Sequence, residues 1–219
     1  MDVLEAIYAR HAVRDFAPTS VPKETVIKIL TAATRAPSGG NGQPWELFVA
    51  SGATMEAIRK GYVERAQGAP PRPPSPRPES TSAAQAAIRE RMTAIRIERM
   101  RLLGLDPDDP EAGKMFLQMG ARLWGTPVLV VVCMDQTLSA NMDLGMLVQS
   151  ICLAAQGHGL ESLIAAGLVT HLDILRKELE IPENLNIVIG IGLGYATDHL
   201  INTYRSPRRP IEEVVRYKD

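Results

Sequence analysis

The sequence predicts an α+β fold in which a mixed β-sheet is flanked by helices on both faces. Segments with helical periodicity alternate with short strand-like runs, but without the strict strand–helix–strand order of a doubly wound fold. The run VLVVVCM at 128–134 is continuous and β-branched, which is typical of a strand covered on both faces. With 219 residues, 45% of them hydrophobic, the chain can build one substantial core. We therefore expect a single domain over 1–219.

The first quarter of the chain predicts two helices, a loop, a strand and a third helix. The segment 37–44 has two prolines and three glycines, so it cannot continue the second helix and is predicted to be a loop. The run WELFVA at 45–50 predicts a strand. The three helices are indicated by apolar residues at helical spacing: Val3, Leu4, Ile7 and Tyr8; Val26, Ile29, Leu30 and Ala33; and Met55, Ile58 and Tyr62.

Residues 70–78 contain six prolines, a density that favours extended polyproline conformation. The helix predicted after them carries arginines on one face and an apolar stripe on the other, formed by Ile88, Met92, Ile95 and Leu102. We interpret 68–104 as a Pro-rich connector and lid helix, because long excursions from a compact domain are often functional. The alternative is that this helix packs on the outside of the protein, with its arginines in water.

The second half of the chain predicts the central strand at 128–134 and a buried helix at about 141–158, which Gly157 and Gly159 end. A strand-like segment follows at 160–167. Thr170 is predicted to cap a further helix. The last strand is predicted at 187–196, and the residues after it are too polar to build a core of their own.

Composition and charge exclude several functions. A net charge of −1 gives no chain-wide attraction for nucleic acid or anionic membranes. Cys133 and Cys152 lie in apolar runs and are predicted to be buried thiols of a reduced, cytoplasmic protein. The start of the chain lacks the pattern of a secretory signal, and the longest apolar stretch is far short of the roughly 20 residues that span a bilayer.

Three familiar motifs are absent or incomplete. Gly190, Gly192 and Gly194 suggest a dinucleotide-binding fingerprint, but Tyr195 stands where the third glycine is needed, so small residues in a crowded strand are the better interpretation. The four histidines have no metal-binding spacing, and we expect no metal site. No nucleophile-elbow sequence is present.

The two informative segments are the basic cluster Arg10, His11 and Arg14 and the loop at 37–44. Arginine presents a planar fork that suits phosphate and carbonyl oxygens, so basic residues from both ends of the chain could form an anion site if the fold brings them together. A glycine-rich loop with Ser38, Asn41 and Gln43 can approach a planar heterocycle closely. The simpler alternatives are surface arginines and an ordinary turn.

These segments resemble the FMN-dependent nitroreductase family. RHAVRDF at 10–16 and VPKETVIKILTAATRAPSGGNGQPWELFVAS at 21–51 are similar to its N-terminal signature. The resemblance continues through 125–134, 142–168, the strand end GLGYA and the tail RSPRRPIEEVV, and covers most of the chain outside 64–112. It implies a nitroreductase-like α+β fold and an interlocked homodimer with FMN at the interface.

The resemblance also implies which residues bind FMN. The implied residues form four groups: Arg10, His11, Ala12 and Arg14; Pro37, Ser38, Gly39, Asn41 and Gln43, acting across the interface; Ala165, Ala166 and Gly167; and Arg205 and Arg208. An arginine of the first group would contact the ribityl phosphate or the pyrimidine edge, the backbone amides of the third would approach N5 and O4 of the flavin, and the arginines of the fourth would bind the phosphate. Ala12 stands where a hydroxyl residue is often found in the family, and Ala166 stands where some members carry Glu.

The activity implied is NAD(P)H-dependent reduction of a small-molecule oxidant, such as a nitroaromatic or a quinone, by a ping-pong mechanism. We identify no catalytic acid or base, because the chemistry would belong to the flavin. The sequence leaves open NADH or NADPH as the donor. It also leaves open reductive dehalogenation on the same scaffold, a non-enzymatic flavin-binding protein, and a helical interaction module at 80–104.

Overall fold

The computed structural model describes residues 1–68 and 82–219, so the predicted polyproline stretch at 70–78 lies outside the described residues. The helices in the described part are α1 (Val3–Ala9), α2 (Lys23–Ala33), α3 (Gly52–Gly68), α4 (Ala83–Leu102), α5 (Pro110–Ala121), α6 (Asn141–Gly157), α7 (Leu172–Leu179) and α8 (Ile211–Val214). The strands there are β1 (Glu46–Ser51), β2 (Val128–Asp135), β3 (Glu161–Ala165) and β4 (Leu185–Gly194).

The four strands form one sheet in the order β1-β2-β4-β3. Every adjacent pair of strands is antiparallel, whereas the sequence predicted a mixed sheet. In the described part of the chain, parallel pairing is limited to an isolated bridge between Ala12 and Ser162. β2 is an interior strand whose side chains from Val128 to Met134 are buried on both faces, as its β-branched run predicts. The α+β class predicted from the sequence is confirmed.

Helices cover both faces of the sheet. One face packs against α2 and α6 through residues that include Ile29, Leu147 and Ile151. The other packs against α3 and α7 through residues that include Ile58 and Leu175. The apolar stripes predicted for α2 and α3 therefore face the sheet, whereas Leu172 at the start of α7 is 44% exposed. Both cysteines are free and buried in these two cores, as predicted.

The three glycines of β4 are explained by crowding. A Cβ atom would lie 2.7 Å from the Leu168 Cβ at Gly190 and 2.8 Å from the Thr126 Oγ1 at Gly192. At Gly194 it would lie 2.6 Å from the Pro127 Cδ. Real Cβ contacts are longer than this, so these positions accept only glycine without rearrangement. The strand ends in a loop rather than a helix, which agrees with rejecting the dinucleotide fingerprint.

Two local predictions were wrong or incomplete. The N-cap of α7 is His171 rather than Thr170, whose hydroxyl instead donates back to the Gly167 carbonyl oxygen at 3.1 Å. No helix was predicted at Pro110–Ala121, yet α5 forms there. Asp109 caps it by accepting a hydrogen bond from the Glu111 N–H at 2.9 Å, and Pro110 occupies its first turn.

In the described part of the chain, no helix combines the length and hydropathy that a membrane span requires.

Candidate functional site

Residues 10–14, here called the basic segment, lie in extended conformation beside β3. The segment begins where α1 ends, at Arg10, and the Val13 N–H donates to the Ser162 carbonyl oxygen at 3.1 Å. Ala12 forms the parallel bridge with the same serine. The backbone therefore places the predicted residues of the basic segment next to the strand that leads into Ala165.

Asn202 ties the C-terminal part of the chain to the basic segment. Its Oδ1 accepts a hydrogen bond from the Arg14 N–H at 2.8 Å, and its Nδ2 donates to the Asp15 carbonyl oxygen at 2.7 Å. The side chain is buried, with 7% exposure, so these bonds satisfy groups that water does not reach. The Asp15 carboxylate also accepts a hydrogen bond from the Thr197 hydroxyl. Sequence reasoning missed Asn202, because its partner lies 188 positions away.

Arg14 lies in a partly buried, cationic environment. Its Nη1 donates to the Ala12 carbonyl oxygen at 3.0 Å. Burial and the like charge of Arg99 lower the pKa of the Arg14 guanidinium to about 10, while Tyr204 acts in the opposite direction. The Arg99 guanidinium lies over the Tyr204 ring, 5.5 Å from its centroid. Arg99 was not among the predicted site residues, because the resemblance does not extend over 64–112.

Arg10 and His11 begin the basic segment. The Arg10 Nε is buried and has no hydrogen-bond partner among the described residues. The His11 Nδ1 is 3.1 Å from the Ala9 carbonyl oxygen and 3.9 Å from a Glu161 carboxylate oxygen. Since buried polar groups are almost always paired, this Arg10 N–H indicates a position for an acceptor that residues 1–68 and 82–219 do not supply.

Residues 165–169, here called the β3 turn, contain Ala165, Ala166 and Gly167. Ala166 and Gly167 are exposed, while Leu168 and Val169 anchor the turn in the core. The buried Tyr62 holds its far side: its hydroxyl donates to the Leu168 carbonyl oxygen at 3.0 Å and accepts from the His171 N–H at 3.3 Å. The predicted backbone amides thus belong to a fixed turn that faces outward.

The two tail arginines behave differently. The Arg205 Nη1 donates to the Asn202 carbonyl oxygen at 2.8 Å, which attaches it to the residue that also binds Arg14. Arg208 is exposed, and its Nη1 donates to the Ser206 carbonyl oxygen at 2.8 Å and to neighbouring atoms of its own tail. Among the described residues, no hydrogen bond or ion pair joins Arg208 to the basic segment.

The loop at 37–44, here called the glycine loop, lies at the start of α6. The Gly39 N–H donates to an Asp143 carboxylate oxygen at 3.2 Å, and the Gln43 N–H donates to the Ser38 hydroxyl oxygen at 3.0 Å. Pro37, Asn41 and Gln43 are exposed, and Asn41 and Gln43 have positive φ angles of 59° and 46°. No described hydrogen bond links this loop to the basic segment of the same chain.

A cleft of about 450 Å³ opens on the other side of Arg14. Its wall includes a left-handed turn in which Leu123, Trp124 and Gly125 have φ angles of 53°, 54° and 73°. The Phe16 N–H donates to the Trp124 carbonyl oxygen at 3.2 Å and fixes the turn. Of the predicted site residues, this cleft includes Arg14 alone.

The basic segment, Arg205 and Arg99 together fit an anionic ligand. Among the described residues, no carboxylate oxygen lies within 4.0 Å of a side-chain nitrogen of Arg10, Arg14 or Arg99. The Nε atoms of Arg10 and Arg99 are buried and have no hydrogen-bond partner in the same part of the chain. Guanidinium groups in such surroundings are stabilised by phosphate or by carbonyl oxygens. Among the described residues, no group of three His, Cys, Asp or Glu side chains could hold a metal ion.

The antiparallel sheet with helices on both faces and the basic segment along its edge strand β3 have the architecture of the nitroreductase fold, as a solved member of that class shows. The chain belongs to the nitroreductase family, whose model matches residues 7–195. It is 30% identical to the nitroreductase NfnB of Mycolicibacterium smegmatis over 96% of this chain and 90% of that protein. It is also 30% identical to the nitrobenzene nitroreductase of Ectopseudomonas oleovorans, over 90% and 87% of the two chains.

A solved structure shows the same architecture. The crystal structure of the FMN-dependent nitroreductase NfnB from Mycobacterium smegmatis, in complex with NADPH, superposes with a TM-score of 0.86. The match covers 99% of this chain and 97% of that chain, at 28% identity. The fold and family predicted from the sequence are therefore confirmed.

Proposed function

We propose that this protein is an FMN-dependent oxidoreductase that uses NAD(P)H to reduce nitroaromatics, quinones or related electron-poor small molecules. The observation that carries the proposal is the cluster of partly buried guanidinium groups without acidic partners at the edge of a nitroreductase fold. Similar proteins are named as FMN-dependent, as NADPH-binding and as acting on nitrobenzene.

The residues proposed to bind FMN come from three parts of the described chain. Arg10, His11, Ala12 and Arg14 would bind its phosphate or pyrimidine edge, and Ala165–Gly167 would offer backbone amides to the ring. Arg205 is already attached to the same network through Asn202, which supports a role at the phosphate. Arg208 would join it only if the exposed tail turns toward the basic segment.

When bound, FMN supplies the redox chemistry by accepting a hydride from NAD(P)H and passing electrons to the acceptor in a second half-reaction. The contribution of the chain is to orient the cofactor and to place fixed positive charge beside it, which costs no reorganisation during the reaction. No acceptor in the described part of the chain competes for the Arg10 Nε, which supports this role. No side chain is assigned as an acid or base.

The protein is further proposed to be a cytoplasmic homodimer, in which the glycine loop completes the flavin site across the interface. Within one chain this loop is bonded to the start of α6 rather than to the basic segment. The outer face of α1 supports a dimer, because Val3, Leu4 and Tyr8 are 66%, 61% and 84% exposed. Free buried cysteines fit a reduced compartment.

Anaerobic titration and turnover test the proposed function directly. The purified chain should contain FMN and no FAD after denaturation, and it should oxidise NADPH or NADH when nitrobenzene or a quinone is added. A flavin-bound chain that reduces none of these acceptors would support a non-enzymatic flavin-binding protein. Halide release from a halogenated phenol, without nitrobenzene reduction, would favour the dehalogenase alternative.

The excursion that contains α4 is proposed to be a lid over the substrate side of the flavin. The first part of its apolar stripe is uncovered, since Ile88 and Met92 are 49% and 65% exposed. Replacing Met92 and Ile95 with Ala should change KM for bulky acceptors by several-fold and leave the FMN content intact. Equal KM ratios for small and bulky acceptors in the folded variant would instead place α4 on the outside of the dimer.

A further inference from the structure

The C-terminal end of α4 is anchored in the protein body, in contrast to its beginning. Met100 is fully buried, whereas Met92, two turns earlier, is 65% exposed. The Leu105 N–H donates to the Met100 carbonyl oxygen at 2.9 Å and turns the chain away after the helix. Arg99 lies in this anchored end, so its position is set by packing.

Arg99 lies beside Tyr204 and close enough to Arg14 for the two charges to interact. Its guanidinium lies 5.5 Å from the centroid of the Tyr204 ring, and Tyr204 directly precedes Arg205. The Arg205 Nη1 is 3.3 Å from the Tyr204 carbonyl oxygen and 2.8 Å from that of Asn202. Asn202 in turn binds the Arg14 N–H. The Arg14 guanidinium also interacts electrostatically with Arg99 and Tyr204, so the three arginines at 14, 99 and 205 lie around Asn202 and Tyr204.

The charge of this cluster is not compensated within the described chain. Other arginines have acidic partners, such as Arg65, whose two terminal nitrogens each lie 2.7 Å from an Asp173 oxygen. No comparable pair is formed by Arg14 or Arg99 among the described residues, and the Arg99 Nε is buried without an acceptor. Burial lowers the pKa of both guanidinium groups. Partly desolvated like charges are unfavourable unless an anion joins them.

We propose that Arg99 is a cofactor-binding residue that, together with Arg14, holds an anionic oxygen of FMN. This inference rests on the proposed function. Two parts of FMN have oxygens with the required chemistry. The phosphate is charged in both redox states, and the O2 atom of the pyrimidine edge gains charge when the flavin is reduced. In either case α4 would contribute a residue to flavin binding.

The test compares the Arg99→Gln variant with the matched control Arg101→Gln on the same helix. Arg101 is 66% exposed and pairs with Glu98 on the surface, so its replacement should leave cofactor affinity unchanged. Apoprotein is titrated with FMN and with riboflavin, and the reduction potential of the bound flavin is measured. Arg99→Gln should weaken FMN binding at least about tenfold in one or both redox states.

The source of the anion follows from which measurement changes. A loss of affinity for FMN but not for riboflavin identifies the phosphate. A loss of affinity for both ligands that is larger in the reduced state identifies the pyrimidine edge. If the reduced flavin loses ten times more affinity than the oxidised flavin, the two-electron reduction potential falls by about 30 mV. Equal losses for both ligands in both states, or no loss, would overturn the assignment of Arg99.

Two further measurements keep the result interpretable. If Arg99→Gln does not fold, Arg99→Lys is compared with Arg101→Lys; it keeps the charge but not the planar fork and should still bind FMN several-fold more weakly than this control. An Arg99→Lys variant with the FMN affinity of the control would count against the assignment of Arg99. If wild-type apoprotein binds no FMN at all, the proposed function fails. If Arg10→Ala binds FMN more weakly and Arg99→Gln binds it as tightly as the wild-type chain, the assignment of Arg99 fails and the proposed function stands.

Discussion

The Arg10→Ala variant should bind FMN about ten- to a hundredfold more weakly than the wild-type chain. A charge-assisted hydrogen bond contributes roughly 1.5–3 kcal/mol, and each 1.4 kcal/mol changes an equilibrium constant about tenfold. The effect should lie toward the upper end, because the Arg10 Nε is buried and no residue that the structure describes supplies its acceptor. The measurement is a flavin fluorescence titration of apoprotein with FMN.

Arg208→Ala and Lys60→Ala complete this experiment. Lys60 is 78% exposed and has only a surface pair with Glu64 at 3.8 Å, so its removal should leave FMN affinity unchanged. Arg208 bonds only its own tail in the described structure, and a loss of affinity in Arg208→Ala would show that the tail moves to the cofactor. Wild-type affinity in both arginine variants would mean that neither arginine contacts the cofactor.

Periodicity predicted the elements whose pattern is local. The apolar spacing of α2 and the β-branched run of β2 predicted their positions to within a few residues, because these elements bury the faces that the pattern defines. α5 has the same kind of local signal, since Asp109 and Pro110 stand at its N-cap and first turn. It could have been predicted from that pair.

The site was predicted through family resemblance and only where the resemblance extends. The resemblance indicated the basic segment and the β3 turn as candidate site residues. In the structure the basic segment runs beside β3, and the β3 turn follows that strand. Asn202 and Arg99 carry no local signal, because an asparagine before a tail and an arginine on an arginine-rich helix are common surface residues. Their proposed roles depend on contacts with residues far away in the sequence: Asn202 binds Arg14, 188 positions away, and Arg99 contacts Tyr204.

The left-handed turn at Leu123–Gly125 could not be predicted either. Side chains other than glycine rarely adopt positive φ, so propensity argues against it at Leu123 and Trp124. Tertiary contacts compensate for this cost: Leu123 is fully buried, and the Trp124 ring packs edge-on against Phe116 with centroids 5.8 Å apart. Backbone hydrogen bonding to Phe16 then fixes the wall of the cleft.

Placing lysines on the outer face of α1 should convert the protein into a monomer with weak flavin binding. Leu4 and Ile7 are 61% and 45% exposed in the single chain, which leaves an apolar helix face without a partner. Burying a large aliphatic side chain contributes about 1.5–3 kcal/mol, and a two-fold interface contains every residue twice. Leu4→Lys with Ile7→Lys should therefore remove up to about 6–12 kcal/mol from association, as measured by sedimentation velocity.

Loss of the partner should also reduce FMN affinity and turnover by at least about tenfold, if the glycine loop acts across the interface. Glu64→Lys is the matched control, since this charged side chain on α3 is 64% exposed, belongs to no apolar face and should not affect association. Circular dichroism must show that the monomer remains folded. A folded monomer with wild-type FMN affinity and turnover would mean that each chain completes its own site. A dimer that survives both lysines would instead exclude α1 from the interface, because buried unpaired charges are strongly unfavourable there.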